Sequence, residues 1–160
     1  MSRARQLVEI AIETGIMIAT AESCTGGGIT AAITDIAGSS AVLDRGFVTY
    51  TNAAKIEMLG VSGETLAAHG AVSEQVAREM AAGALARSHA QIAVSVTGIA
   101  GPGGSEHKPE GRVCFGIATA TQTAARTHDF GPIGRAHVRR ASVEQALQLM
   151  IDEITRLPKL

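Results

Sequence analysis

Aromatic side chains are scarce in this chain of 160 residues, which has no tryptophan, one tyrosine and three phenylalanines. Since 46% of the residues are hydrophobic but only 2% are aromatic, the core must be built from alanine, valine, isoleucine, leucine and methionine. Charged residues make up 18%, which is typical of a globular chain and not of a disordered one. A chain of this length fits one domain, which we place at residues 1–160.

The sequence lacks the signals that are typical of several classes of protein. The two cysteines, Cys24 and Cys114, form no CxxC pair and predict no disulfide framework. The histidines show neither HxH nor HExxH spacing, so no metal site is predicted. A net charge of −1 without a long basic run argues against nucleic acid as a partner. No apolar run reaches the roughly 18 residues of a membrane span, and no signal peptide is recognisable, so we expect a cytoplasmic protein.

The hydrophobic pattern predicts alternating strands and helices. Strands are predicted at Ile16–Ala21, Phe47–Tyr50 and Ile92–Val96, and a hairpin at Arg112–Thr119 and Arg126–Phe130. Helices are predicted from Ser2 to Gly15, Thr25 to Ala37, Asn52 (as the cap) to Gly60, Glu64 to His69, from Ser73 onward, and around Val143 to Leu157. This order indicates a single three-layer α/β/α domain with a mixed, mostly parallel sheet and a late β-hairpin.

A glycine-rich loop, Ala21-Glu22-Ser23-Cys24-Thr25-Gly26-Gly27-Gly28, follows the first predicted strand. Glycines between a strand and a helix let a ligand approach the backbone, and the helix N-terminus offers amides to an anion. The loop matches neither GxxxxGK[ST] nor GxGxxG, so it carries no nucleotide fingerprint. An ordinary strand-to-helix turn capped by Ser23 or Thr25 remains an equal alternative.

The second loop runs from Thr49 to Lys55 and holds the one tyrosine of the chain, Tyr50. Lys55 is predicted near the first turn of a helix, where the helix dipole disfavours a cation and lowers the pKa of the amine. A lysine with a lowered pKa can act as a general base. The alternative is a solvated surface lysine beside a half-buried tyrosine.

The third loop, Ser95 to Ser105, places Thr97-Gly98 directly at the end of a predicted strand. Ligands of α/β sheets bind at the carboxyl ends of the strands, so this position favours a ligand contact over a plain connection.

Other polar residues near these loops leave alternatives open. Cys24 is either a nucleophile paired with a histidine, for which His107 is the nearest candidate, or a small buried residue. A basic cluster opens the last helix and is either a phosphate clamp or a solvated face; it comprises Arg135, Arg139 and Arg140. The nearby acids show no paired-carboxylate spacing and receive no catalytic role; they are Glu22, Asp35 and Asp44.

Five segments, in order, closely resemble the C-terminal domain of the competence- and damage-inducible CinA proteins. They are Ala21 to Gly27 (AESCTGG), Ile36 to Ser40 (IAGSS), Arg45 to Tyr50 (RGFVTY), His69 to Glu74 (HGAVSE) and Thr97 to Pro102 (TGIAGP). The resemblance extends over about Leu7 to Ile154, and the larger N-terminal domain of the family has no counterpart here. It therefore suggests the stand-alone form of the family, which includes nicotinamide-nucleotide amidases.

The resemblance implies hydrolysis of nicotinamide mononucleotide to nicotinate mononucleotide and ammonia, in pyridine nucleotide recycling. It implies Ser23 as the nucleophile and Tyr50 and Lys55 as the groups that activate it. It also implies a set of substrate-binding residues: Gly26, Gly27, Asn52, Thr97, Gly98 and Arg139. We expect no metal or organic cofactor, a small-molecule substrate and a homo-oligomer. A non-catalytic nucleotide-binding module remains the alternative.

Overall fold

A computed structural model describes residues 1–157 of the chain. Its strands are β1 (Ile18–Glu22), β2 (Leu43–Val48), β3 (Ile92–Gly98), β4 (Arg112–Thr119) and β5 (Thr123–Asp129). Its helices are α1 (Arg3–Thr14), α2 (Gly28–Thr34), α3 (Asn52–Leu59), α4 (Gly63–His69), α5 (Glu74–Ala86) and α6 (Arg135–Arg156), with a 3₁₀ turn at Ser39–Ala41. Residues 158–160 of the predicted domain lie outside the described residues.

The strands form one mixed sheet in the order β2-β1-β3-β4-β5. β1 pairs in parallel with both β2 and β3, whereas β3 with β4 and β4 with β5 pair antiparallel. Four strands therefore point the same way and β4 points the opposite way, which confirms the predicted mixed sheet and hairpin. Glu22 lies opposite Val48 on one side and Val96 on the other, so three parallel strands end at the same edge.

Helices cover both faces of the sheet and produce the three layers. Because side chains alternate along a strand, Ile18 and Val94 pack on one face while Ala19 and Ala93 pack on the other. The first face is covered by α1, α2 and α6, and the second by α3, α4 and α5. Each large aliphatic side chain buried in this way contributes about 1.5–3 kcal/mol. The core thus relies on many aliphatic contacts, as the scarcity of aromatics predicts.

Small residues let α5 approach its neighbours closely. A methyl group on Gly83 would overlap the carbonyl of Leu59 in α3. On the sheet side, a methyl group on Gly116 of β4 would overlap the carbonyl of Ala77. α5 therefore packs closely against both α3 and β4.

Several predicted boundaries are wrong. α2 begins at Gly28 and not Thr25, because Gly26 (φ +59°) and Gly27 (φ +103°) adopt left-handed conformations that interrupt the helix. α3 is capped by Thr51 and not Asn52, since the Thr51 hydroxyl accepts the amide of Ala54 at 3.0 Å. No helix among residues 1–157 is long and apolar enough to cross a membrane.

Candidate active site

An open cleft of about 330 Å³ lies at the edge where the parallel strands end. Its floor is formed by the segments that follow β1 and β2, and one wall by the loop that follows β3. The lining includes Ser23, Cys24, Tyr50, Asn52, Lys55, Ala71, Val72, residues 97–106 and Arg135. This is the position at which α/β sheets hold ligands.

Ser23 and Lys55 meet in the floor of the cleft. Ser23 is the residue after β1, and it is only 8% exposed. The Nζ atom of Lys55, a side chain that is only 1% exposed, donates to the Ser23 Oγ at 3.1 Å and to the carbonyl oxygen of Tyr50 at 3.1 Å. The Ser23 hydroxyl also donates to the Tyr50 carbonyl, at 3.3 Å. One backbone carbonyl therefore aligns the serine and the amine.

Burial lowers the pKa of the Lys55 amine, because an ammonium group withdrawn from water loses solvation that two hydrogen bonds do not replace. Cys24 and Glu106 raise this pKa, but burial is the larger effect. The sequence predicts a lowered pKa for Lys55 near a helix N-terminus, and in the structure burial is its largest cause. A neutral amine beside a serine hydroxyl can accept its proton, which is what a serine nucleophile requires.

Cys24 is next to the nucleophile and lines the cleft, yet it is 6% exposed. Burial raises the pKa of its thiol to about 12, and the hydrogen bond from its own backbone amide opposes that increase only in part. The thiolate is the reactive form of cysteine, so the raised pKa disfavours Cys24 as the nucleophile. No histidine among residues 1–157 lines the cleft, and this too disfavours a cysteine–histidine pair.

Glu22 holds the turn that carries Ser23. Its carboxylate is fully buried at the end of β1 and accepts the backbone amides of Ile29 at 2.8 Å and Thr30 at 3.0 Å. It also accepts the hydroxyl groups of Thr25 at 2.6 Å and Thr30 at 2.9 Å. From the sequence, Glu22 was assigned no catalytic role. An acid between a buried strand and a helix start is the signal that could have indicated one, since carboxylates stabilise helix N-termini.

Three backbone amides in this turn donate to no backbone carbonyl. The amides of Ser23, Gly26 and Gly28 donate to backbone carbonyls. Within residues 1–157, those of Cys24, Thr25 and Gly27 have no such partner, although the Cys24 amide is hydrogen-bonded to its own thiol. Amides immediately after a nucleophile are well placed to stabilise a tetrahedral oxyanion.

The predicted substrate-binding residues are only partly brought together. Asn52, Thr97 and Gly98 line the cleft. Thr97 is buried and its hydroxyl donates to the carbonyl of Ala71 at 2.8 Å, so it ties the two walls together. Gly26 and Gly27 do not line the cleft; their left-handed conformations shape the turn behind Ser23.

Arg139 also lies outside the cleft. Its Nε donates to the carbonyl of Cys24 at 3.2 Å and its Nη2 to the carbonyl of Thr25 at 3.1 Å. Together with Arg140 it lines a separate cavity of about 390 Å³ between α2 and α6. Arg139 therefore supports the nucleophile turn from the outside.

Arg135, one turn earlier in α6, is the arginine that lines the cleft. Its Nη1 donates to the carbonyl of Gly101 at 2.8 Å, and its Nη2 donates to the phenol oxygen of Tyr50 at 3.1 Å. The phenol of Tyr50 is thus directed toward Arg135, and the tyrosine meets Ser23 and Lys55 through its carbonyl. Arg135 spans the cleft mouth from α6 to the loop after β3.

The described residues contain no group of three or more histidine, cysteine, aspartate or glutamate side chains arranged to hold a metal ion. The polar side chains that line the cleft include the Ser23 hydroxyl, the Lys55 amine, the Arg135 guanidinium and the Glu106 carboxylate. The fold and the site together define a class of protein. It is a three-layer α/β domain with a buried serine–lysine pair where its parallel strands end.

The sequence profile of the CinA C-terminal domain matches residues 1–154, so the chain belongs to the CinA C-terminal domain family. It is 55% identical over 137 residues to nicotinamide-nucleotide amidohydrolase PncC of Escherichia coli K12, covering 85% of this chain and 83% of that protein. It is 60% identical over 114 residues to a CinA-like protein of Chloroherpeton thalassium, covering 71% of this chain but only 27% of that protein.

Solved structures show the same fold. The competence/damage inducible protein CihA of Agrobacterium tumefaciens superposes with a TM-score of 0.89 at 50% identity, covering 98% of each chain. A CinA superfamily protein of Klebsiella pneumoniae superposes with a TM-score of 0.93 at 34% identity, covering 97% of each chain. The predicted family and fold class are therefore confirmed.

Proposed function

We propose that this chain hydrolyses the carboxamide of nicotinamide mononucleotide, releasing nicotinate mononucleotide and ammonia. The observation that carries the proposal is the buried Lys55 amine 3.1 Å from the Ser23 hydroxyl, in a cleft at the carboxyl edge of the parallel strands. The similarity to the Escherichia coli amidohydrolase over most of both chains supports the choice of substrate.

In the proposed first step, neutral Lys55 accepts the proton of Ser23 as its Oγ attacks the carboxamide carbon. The negative charge that develops on the carbonyl oxygen is stabilised by backbone amides of the turn after Ser23, where those of Cys24, Thr25 and Gly27 donate to no backbone carbonyl. The Lys55 ammonium then returns its proton to the departing nitrogen, the carbon–nitrogen bond breaks, and ammonia leaves. Ser23 is left as an ester of the nicotinate group.

The second step removes the acyl group. A water molecule attacks the ester carbon while Lys55, neutral again, accepts one of its protons. Collapse of the intermediate breaks the bond to Oγ, and Lys55 protonates the Ser23 oxygen. In this scheme Tyr50 aligns Ser23 and Lys55 through its carbonyl, and its phenol positions Arg135.

We further propose that Arg135 binds the phosphate of the nucleotide. Arg139, which the sequence favoured, is already engaged with two carbonyls of the nucleophile turn. The N-terminus of α2 is occupied by the Glu22 carboxylate and so is closed to a second anion. Arg135 is the guanidinium left facing the cleft.

Ammonia release from nicotinamide, its riboside, its mononucleotide and NAD tests the proposal. We expect the mononucleotide to react far faster than free nicotinamide, because contacts with the remote phosphate orient the carboxamide. Equal rates on these two compounds would contradict it. Binding of the mononucleotide without ammonia release would favour the non-catalytic nucleotide-binding alternative. A role in pyridine nucleotide recycling, a cytoplasmic location and a homo-oligomeric state belong to the same proposal and rest on the resemblance to the family.

A further inference from the structure

Glu106 stands at the tip of a tight turn in the loop after β3. The turn is closed by two backbone hydrogen bonds between Ser105 and Lys108, of 3.1 and 2.8 Å. Glu106 and His107 have φ angles of +52° and +63°, a region that few residues other than glycine adopt. This conformation places Glu106, but not His107, along the cleft that contains Ser23.

The Glu106 carboxylate is held in place without being saturated by hydrogen bonds. It lies over the backbone of Gly70, where a methyl group would overlap it. The Lys108 amine is 4.0 Å away but donates its hydrogen bonds to the carbonyls of His69 and Val72, each at 2.6 Å. Within residues 1–157 no donor is hydrogen-bonded to this carboxylate, which is 46% exposed.

Among the described residues that line the cleft, Glu106 is the one with a carboxylate side chain. An anion at this position repels the phosphate of a nucleotide, so it does not serve to bind that part of the substrate. The nicotinamide ring of the mononucleotide has the opposite charge, because its ring nitrogen is bonded to the ribose and is cationic. A carboxylate with free acceptor positions complements such a ring.

We propose that Glu106 determines specificity for a cationic ring, its carboxylate facing the pyridinium while Arg135 faces the phosphate. This inference rests on the proposed function and adds the part of the substrate that each charge recognises. It also bears on two opposing effects on the pKa of Lys55. The negative charge of Glu106 raises the pKa of Lys55, against the effect of burial, and a cation seated beside Glu106 cancels that charge.

The test compares two substrates that differ in ring charge. One is nicotinamide mononucleotide, and the other is its carbon-linked analogue, in which a neutral benzamide ring replaces the pyridinium. The ratio of kcat/KM for the cationic over the neutral substrate is measured by ammonia release. Glu106→Gln should lower this ratio about three- to fivefold, the size expected for a half-exposed charge pair. Glu106→Lys should lower it further.

Glu13→Gln is the matched control, since it removes one negative charge from exposed α1, away from the cleft. It should leave the ratio unchanged. If wild-type protein releases no ammonia from the mononucleotide, the proposed function fails and this inference fails with it. If wild-type protein is active but Glu106→Gln leaves the ratio unchanged, or slows both substrates equally, the inference alone is overturned.

Discussion

The guanidinium of Arg139 donates to the carbonyl oxygen of Cys24 at 3.2 Å, so α6 holds the residue next to the nucleophile from behind. Arg135, one helical turn away, faces the cleft instead. Two arginines that look equivalent in the sequence therefore have separable roles, one in the shape of the turn and one at the substrate.

Replacement of each arginine by alanine should separate these roles. Arg135→Ala should raise KM for the mononucleotide by roughly tenfold, as expected for loss of a charge-assisted contact of about 1.5 kcal/mol. It should change KM for the riboside, which has no phosphate, much less. Arg139→Ala should mainly lower kcat for both compounds. Steady-state kinetics on the two substrates measure these differences. An unchanged KM in Arg135→Ala would indicate that Arg139 or Arg140 binds the phosphate instead.

Ser23 and Lys55 should behave as one catalytic unit. Ser23→Ala and Lys55→Met should each lower kcat by on the order of 10³ or more, and the double variant should be little worse than either single variant. Methionine keeps the buried volume of Lys55, so thermal unfolding can confirm that the fold survives. Cys24→Ala should retain most activity. An acyl group trapped on Cys24 in mass spectrometry, or a Ser23→Ala protein that still turns over well, would contradict the assignment.

Activity should rise with pH as Lys55 loses its proton. Because burial lowers its pKa, the midpoint of kcat/KM should lie below the ordinary lysine value of about 10.4. A pH–rate profile from 6 to about 10 measures this midpoint, after correction for any instability of the substrate. A profile that stays flat until about pH 10 would show that the pKa of the Lys55 amine is not lowered.

The same shift predicts how stability depends on pH. The folded-state pKa of Lys55 is lowered, so the unfolded chain binds more protons between that value and about 10.4. Burial of Lys55 therefore lowers the free energy of unfolding at low pH. This destabilisation disappears as the pH rises toward the pKa of Lys55 in the unfolded chain. The free energy of unfolding of the wild-type protein should increase relative to Lys55→Met over this interval. Urea unfolding of both proteins at several pH values provides the measurement.

Glu22 should matter for turnover more than for binding. Glu22→Gln places an amide donor against amide and hydroxyl donors, so we expect a loss of about 1–3 kcal/mol in the free energy of unfolding and a lower kcat with little change in KM. Thr25→Val, which removes one of the four hydrogen bonds, is the milder companion variant. Raised KM with normal kcat in Glu22→Gln would instead assign Glu22 to substrate binding.

Chelation should leave the activity intact, because the proposed nucleophile is a side chain and the described residues form no metal-binding group. Ammonia release is measured before and after exhaustive treatment with EDTA. Loss of turnover that added zinc restores would rule out the serine mechanism as written.

The sequence by itself determined the order of strands and helices, the mixed sheet and the three loops at strand ends. These features depend on local patterns such as apolar periodicity, the Ser2 cap and Gly15 and Gly60 at helix ends, which single segments carry. Ser23 and Lys55 were also nominated from the sequence. Their segments follow two parallel strands and resemble a known family.

Only the tertiary structure decided how these residues meet. Ser23 and Lys55 are 32 residues apart, and their contact depends on the parallel pairing of β1 with β2 and on the packing of α3 against α5. The burial that lowers the pKa of Lys55, the use of the Tyr50 carbonyl in place of its phenol, and the burial of Glu22 depend on the same packing. Arg135 and Arg139 differ because they lie about 6 Å apart along the axis of α6, so that one reaches the loop after β3 and the other the carbonyls of the nucleophile turn. Such relations arise from contacts between distant segments, which no local pattern specifies.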